Sequence, residues 1–240
     1  MALVKDMAIV LRRLDYSETS QVLAFFGREH GQVRLIARGI RRGSKKAFAT
    51  GIDLLEMGSI VFVRPEGGSG LGTLTEWRQT EAFLGLRHEA RRLYAAQYGL
   101  EITARLTEEG DPHPELFDAL AAFLRKLAGG DECLAAVVQF QIQLLTSIGL
   151  MPDFRVCVAC RREARPGELH YFSAGHGGLI CRDCEPSVVE KRRLQSGTPG
   201  ALASGHITSS LAPAAFDVLN YAISYAMGRP SKLAPYVIGG

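Results

Sequence analysis

Short apolar runs separated by turn residues dominate the first 80 positions of the chain. The runs cover residues 7–11, 22–26, 33–40, 60–63 and about 71–77, and glycine-containing turns lie between them. Five short strands at this spacing predict a small closed barrel, for which a five-stranded OB-fold is the natural candidate. The last strand fits worst, because Leu74 and Trp77 fall on opposite faces of an ideal strand.

After about residue 81 the apolar spacing changes to three and four residues, which is typical of amphipathic helices. Helices are predicted over residues 87–106, 115–127, 131–148 and 212–227. Asp131 is the expected N-cap of the third helix, and Gly228 is the expected stop of the fourth. Residues 194–213 are rich in Gly, Ser, Pro and Ala and predict a loop.

Four of the five cysteines form two C-x₂-C pairs that are separated by 20 residues. The four are Cys157, Cys160, Cys181 and Cys184. Two such pairs complete a tetrahedral thiolate site for Zn²⁺, and a closed four-cysteine site leaves no position for a reacting water. The expected cofactor is therefore a structural zinc. Cys133 lies in an uncharged helical segment and is expected to be a small buried hydrophobe.

Alternatives to the zinc site remain open from the sequence. The cysteines could form two disulfides or belong to a site that has lost its metal, and His170 or His176 could replace one thiolate. A deaminase would place an H-x-E motif before P-C-x-x-C, and His113-Pro-Glu115 fits its first half, but Val156 stands where that motif needs proline. We identify no nucleophile–base pair, P-loop or H-E-x-x-H motif, so an enzyme is not expected.

The predicted fold class is therefore α+β. An N-terminal OB-fold barrel of five strands occupies residues 1–80, and a helical domain occupies residues 81–240. An inserted four-cysteine zinc-binding module at 154–186 interrupts the helical domain.

The composition is that of an ordinary globular protein, with 240 residues, 47% hydrophobic residues and a net charge of +3. These values exclude a disordered chain and a disulfide-stapled mini-protein. The uncharged run at 133–152 repeats glutamine and serine every fourth residue, which favours a buried amphipathic helix over a membrane span. The start of the chain shows no secretory signal. We therefore expect a cytoplasmic protein.

Positive charge is concentrated in the predicted barrel. Residues 1–80 hold 12 Lys and Arg and 8 Asp and Glu. Within 28–46 there are seven Lys and Arg, and Glu29 is the single acidic residue. An OB-fold holds single-stranded nucleic acid in such a basic groove. The candidate phosphate contacts are Arg34, Arg38, Arg41, Arg42, Lys45 and Lys46. The alternative is a solvated face that protects an edge strand from aggregation.

Three segments near the start of the chain carry a recognisable pattern: 8–20 (AIVLRRLDYSETS), 25–31 (FFGREHG) and 36–42 (IARGIRR). They resemble the N-terminal OB domain of the bacterial recombination mediator family RecO. Segment 140–153 (FQIQLLTSIGLMPD) looks like the helix before the family's zinc module, and 171–178 (YFSAGHGG) precedes Cys181 as in the family. Together they cover most of the chain in the family's order.

The resemblance implies a role in DNA repair and homologous recombination by the RecF pathway. It implies binding of single- and double-stranded DNA, annealing of complementary strands without nucleotide hydrolysis, and, with RecR, assistance in loading RecA on strands coated by single-strand-binding protein. The tail of that protein is a further implied partner. The competing hypothesis is an adaptor whose barrel and zinc knuckles bind proteins but not DNA.

Overall fold

The computed structural model describes residues 3–39, 51–64 and 70–239. The chain forms two compact units. Unit 1 comprises residues 1–90 and 103–129, and unit 2 comprises residues 91–102 and 130–240. The division predicted above, at residue 80 and around a module at 154–186, remains a prediction.

Five strands of unit 1 form a closed barrel in the order β1-β2-β3-β5-β4. The strands are β1 (Leu3–Asp15), β2 (Gln21–Gly27), β3 (Gly31–Ala37), β4 (Met57–Val63) and β5 (Gly72–Glu81). Neighbouring strands run antiparallel except β3 and β5, which pair in parallel. This five-stranded order confirms the predicted barrel, and with the helices that follow it confirms the α+β fold class.

A β-bulge explains why the last strand fitted an ideal alternation poorly. Phe62 pairs with Leu74 and Val61 pairs with Glu76, so Thr75 is an extra residue in β5. The extra residue shifts the alternation by one position. Leu74 is therefore buried in the barrel core, and Trp77 also packs against that core, with its ring 5.6 Å from the ring of Phe25.

A buried carboxylate in β1 holds the turn between β2 and β3. The side chain of Asp6 is fully buried and accepts hydrogen bonds from the backbone N–H groups of Glu29 and His30 and from Nδ1 of His30. A Cβ atom on Gly27 would lie 2.3 Å from Oδ2 of Asp6. The absence of a side chain at position 27 is therefore what allows the carboxylate to reach the turn.

Two helices and a short 3₁₀ helix follow the barrel. The 3₁₀ helix is Leu84–His88, α1 is Ala90–Leu106 and α2 is Pro114–Gly129. The predicted helix at 87–106 thus begins in a 3₁₀ turn, and the one predicted at 115–127 is confirmed. Phe117 of α2 packs against Phe26 of β2, with ring centroids 6.3 Å apart.

Unit 2 contains four further helices and a small sheet. The helices are α3 (Cys133–Ser147), α4 (Thr198–Ser204), α5 (Ala212–Ala226) and α6 (Ala234–Ile238). Strands β6 (His170–Ser173), β7 (Gly178–Cys181) and β8 (Arg192–Arg193) form a sheet in the order β7-β6-β8. No helix within the described residues is long and apolar enough to cross a membrane.

Two local predictions for unit 2 are wrong and two are confirmed. Glu132, not Asp131, caps α3, because its carboxylate accepts hydrogen bonds from the N–H groups of residues 134 and 135. The segment 194–213 is not all loop, since it contains α4. Gly228 ends α5 with a positive φ of 71°, as predicted, and Cys133 is buried.

Candidate metal centre and nucleic-acid interface

The four cysteines predicted as ligands converge on one point in unit 2. The Sγ atoms of Cys157, Cys160, Cys181 and Cys184 all lie within 4.8 Å of one another. The Sγ atoms of Cys160 and Cys181 are 3.7 Å apart. Zinc–sulfur bonds of about 2.3 Å give sulfur–sulfur separations of about 3.8 Å in a tetrahedron. The thiol cluster therefore fits a tetrahedral zinc ion.

Backbone hydrogen bonds shape both pairs into knuckles. In the first pair, the N–H of Arg161 donates to the carbonyl of Cys157 at 2.8 Å, and Arg161 takes a left-handed φ of 64°. In the second, the N–H of Cys184 donates to the carbonyl of Cys181 at 3.2 Å, directly after β7 ends. These tight turns point the thiols of each pair toward the same place.

Local electrostatics favour thiolate at one ligand and resist it at another. Burial opposes ionisation of Cys157, but backbone N–H groups, that of Cys181 foremost, lower the pKa of its thiol to about 6. Hydrogen bonding to the thiols of Cys181 and Cys160 raises the pKa of Cys184 to about 12. Thiolates this close repel one another, and a divalent cation between them removes that repulsion.

An ion pair joins the two knuckles at the surface. Nη1 of Arg162, which follows the first pair, lies 2.6 Å from Oδ2 of Asp183, which lies inside the second. Asp183, and next the nearby thiols, raise the pKa of Arg162. The pair therefore keeps a cation beside the thiol cluster.

The alternatives to four thiol ligands gain no support from the geometry. All five cysteines are free thiols, and a separation of 3.7 Å is far from the disulfide bond length of about 2.05 Å. Nδ1 of His176 instead hydrogen-bonds Oγ of Ser173, and Nε2 of His170 lies 3.9 Å from a carboxylate oxygen of Glu168. The metal-capable cluster within the described residues holds the four thiols and neither histidine.

The predicted phosphate contacts are only partly within the described chain. Arg34 and Arg38 are exposed, at the middle and just after the end of β3. Nη2 of Arg34 donates to Oε2 of Glu109 at 3.2 Å, and its Nε makes a second bond to the same carboxylate. Arg38 has no ion-pair partner in the part of the chain that the structure describes. Arg41, Arg42, Lys45 and Lys46 lie outside the described residues.

Two residues of this surface could not be identified from the sequence pattern. Arg12 has the same parity as the core residues Ala8 and Val10, so simple alternation places it inside the barrel. A bulge at Leu11 shifts the register, and Arg12 is exposed. Glu109 follows α1, and no local pattern relates it to β3.

Comparisons with known proteins match both halves of the chain. The family model described as recombination protein O, N terminal, matches residues 1–83, and the model described as recombination protein O, C terminal, matches residues 87–204. The two models lie in the same order as the barrel and the helical region with its thiol cluster.

Relatives in several bacteria carry the name DNA repair protein RecO. The chain is 34% identical to the one of Anaeromyxobacter sp. (strain K) over 83% of this chain and 77% of that relative. It is 30% identical to the one of Myxococcus xanthus (strain DK1622), over 97% and 96% of the two chains. It is 31% identical to the one of Bacillus pumilus (strain SAFR-032), over 76% and 68%.

Proposed function

The chain belongs to the RecO family of DNA repair proteins, and from this premise we propose that it is a non-enzymatic recombination mediator of the RecF pathway. In this role it binds single- and double-stranded DNA, anneals complementary strands and, with RecR, assists RecA loading on strands coated by single-strand-binding protein. Its partners are then DNA, RecR and the tail of single-strand-binding protein. Its place is the cytoplasm, at the nucleoid.

The observation that carries the proposal is a pair of exposed arginines, one on β3 of the barrel and one directly after it. OB-folds bind oligonucleotides on the face of their second and third strands. Arg34 lies on that face, and Arg38 follows directly after β3. Arg41, Arg42, Lys45 and Lys46 extend the same positive run in the sequence. We propose all six as contacts to phosphates.

Annealing by such a surface needs no catalytic group. Cations that neutralise phosphates on two strands reduce the repulsion between the strands and raise their local concentration, and base pairing then completes the duplex. If about four cations engage a single strand at once, log K falls against log salt with a slope near −3, from about 0.7 per phosphate.

The experiment that tests the proposal is annealing of two labelled complementary oligonucleotides by the full chain, without ATP, at about 50 and 200 mM salt. We expect acceleration that weakens with salt and that is reduced in the double variant R34Q/R38Q. The matched control is R105Q/R229Q, which removes the same charge from two exposed arginines elsewhere. Equal loss in both variants, or a salt slope near zero, contradicts the proposal.

The same variants separate the mediator from an adaptor. An adaptor keeps its affinity for partner proteins in R34Q/R38Q and does not bind bare DNA in its unmodified form. A mediator binds bare DNA and loses affinity for it in the double variant.

We propose zinc as the resident ion of the thiol cluster, held by Cys157, Cys160, Cys181 and Cys184. A closed four-thiolate site has a structural role, and its binding free energy contributes to folding. The test is the metal content of the purified protein: one zinc per chain is expected, and less in a C157S variant. Iron with a cluster absorbance, or equal metal in both proteins, contradicts the assignment.

A further inference from the structure

A row of three residues crosses the outer face of the first three strands, with a small residue in the middle and one arginine on each side of it. Leu23, Phe25, Val33 and Leu35 point into the barrel core, so the residues between them point outward. In the strand register Arg12 pairs with Ala24, and Ala24 pairs with Arg34. The two arginines are therefore two strands apart, about 10 Å at the usual strand spacing.

An apolar row lies beside this arginine row on the same face. Leu14 pairs with Val22, and Val22 pairs with Ile36. Leu14 is 64% exposed. Val22 is half-buried and Ile36 is buried, so Leu14 is the exposed apolar side chain of this row. Beside the arginine row it offers an apolar surface next to the phosphate contacts of a nucleic-acid strand. Arg12 is exposed and has no ion-pair partner among the described residues.

Arg34, by contrast, is engaged by Glu109. Both side chains are accessible, with 57% and 39% of their surfaces exposed. The carboxylate bonds two nitrogens of the guanidinium, which is the arrangement that a phosphate also makes with arginine. The carboxylate of Glu109 therefore uses the same donors of Arg34 that a phosphate would use.

Backbone contacts hold Glu109 at this position. Gln32 of β3 forms an isolated parallel bridge with Glu109, and the N–H of Gly110 donates to the carbonyl of Gln32 at 3.0 Å. Nε2 of Gln32 also donates to the carbonyl and to Oγ1 of Thr107, each at 2.7 Å. The segment 107–110 is therefore fixed along β3, and the placement of Glu109 opposite Arg34 is built into unit 1.

We propose that Glu109 is an internal competitor for DNA phosphate at Arg34, and that a strand bound along the row Arg12–Ala24–Arg34 displaces it. The carboxylate lowers the affinity of the barrel for single strands and keeps Arg34 from binding other anions. This inference rests on the proposed function, because it requires that the barrel face binds DNA.

The test is binding of a fluorescent oligothymidylate of about 20 nucleotides by the full chain at low salt, with the variant E109Q. Glutamine keeps the shape of the side chain and removes its charge. Because an exposed ion pair is weak, we expect E109Q to bind about two- to fivefold more tightly than the unmodified protein.

The matched control is E108Q, which removes the same charge one residue away from an exposed side chain. We expect E108Q to change the affinity less than E109Q does, and we expect the difference between the two to disappear when both are combined with R34Q. Equal increases in affinity for E108Q and E109Q would mean that the change in net charge, and not the contact with Arg34, is responsible. That result overturns the inference.

The failures of the two proposals are distinguishable. If the unmodified protein does not bind the oligonucleotide, both the proposed function and the role of Glu109 are wrong. If it binds with the expected salt dependence but E109Q and E108Q have the same affinity for the oligonucleotide, the proposed function stands and the proposed role of Glu109 is wrong. R12Q gives a second check, because it should weaken binding and reduce the salt slope by about 0.7.

Discussion

Removing the buried carboxylate of Asp6 should destabilise the barrel strongly. In Asp6→Ala the backbone N–H groups of Glu29 and His30 lose their acceptor, and Nδ1 of His30 loses its partner. The turn between β2 and β3 is then tied to β1 mainly by the strand pairing itself and by the bond from the N–H of Arg28 to the carbonyl of Met7. We expect the loss to fall on unit 1.

The magnitude follows from the number and kind of bonds lost. Hydrogen bonds to a charged group contribute about 1.5–3 kcal/mol each, and their effects are not additive when they share one acceptor. Removal of a fully buried charge also recovers part of its desolvation cost. We expect a decrease of about 3 kcal/mol in the free energy of unfolding, which is a large part of the stability of an ordinary domain.

The chain contains its own probe for this measurement. Trp77 is the single tryptophan and packs against the barrel core, so its fluorescence reports the unfolding of unit 1. With a slope of about 2 kcal/mol per molar urea, the loss shifts the midpoint by about 1.5 M. His30→Ala is the control, since it removes the bond from the imidazole and the edge contact of that ring with Phe62 but leaves both backbone donors paired.

Two results would refute this reasoning. The midpoint of Asp6→Ala could stay within about 0.3 M of the unmodified protein, which would mean that the buried bonds contribute little net stability. Alternatively, His30→Ala could cost as much as Asp6→Ala. The bond to the imidazole, and not the bonds to the turn backbone, would then be the main contribution.

Three further predictions concern packing, charge and metal. Gly58→Ala should cost about 1–3 kcal/mol in the same urea assay, because the new Cβ would lie 2.4 Å from the carbonyl oxygen of Arg78. Gly129→Ala, in the same unit and with open space around it, should not destabilise. Burial opposes the charge on Glu190, but its hydrogen bonds, that from the Tyr221 hydroxyl foremost, lower its pKa below the ordinary 4.5. Glu190→Gln should therefore lower the melting temperature at neutral pH. The difference in melting temperature between the variant and the unmodified protein should vanish as the pH falls through the depressed pKa. Chelation of zinc, or replacement of the first cysteine of the cluster by serine, should lower the melting temperature more than it weakens DNA binding; equal melting with and without chelator contradicts this.

The barrel could be predicted from the sequence because short apolar runs separated by turn residues mark its strands. The direction in which side chains point could not be predicted at the bulges. Thr75 shifts the face of Trp77, and Leu11 shifts the face of Arg12. An extra residue in one strand inverts the alternation beyond it, but nothing in the residue itself marks the bulge, so the sequence shows the strand and misplaces the residues after the bulge.

The thiol cluster could be predicted because its ligands are close in sequence and chemically distinctive. The partner of Arg34 could not, since Glu109 lies 75 residues away and a single acid after a helix has no specific pattern. The cap of α3 shows the same limit on a smaller scale. Asp131 and Glu132 are adjacent acids, and only the backbone geometry decides which carboxylate reaches the free N–H groups.

The close approach of Asp6 to Gly27 has an evolutionary consequence. A methyl group at position 27 and a carboxylate at position 6 exclude each other, because the distance between them would be 2.3 Å. The two positions should therefore vary together among relatives: where a side chain stands at the position equivalent to Gly27, the buried aspartate should be absent and the turn should be held in another way. Substitutions at this pair are expected to be tolerated in one order only, with the loss of the carboxylate preceding the gain of the side chain.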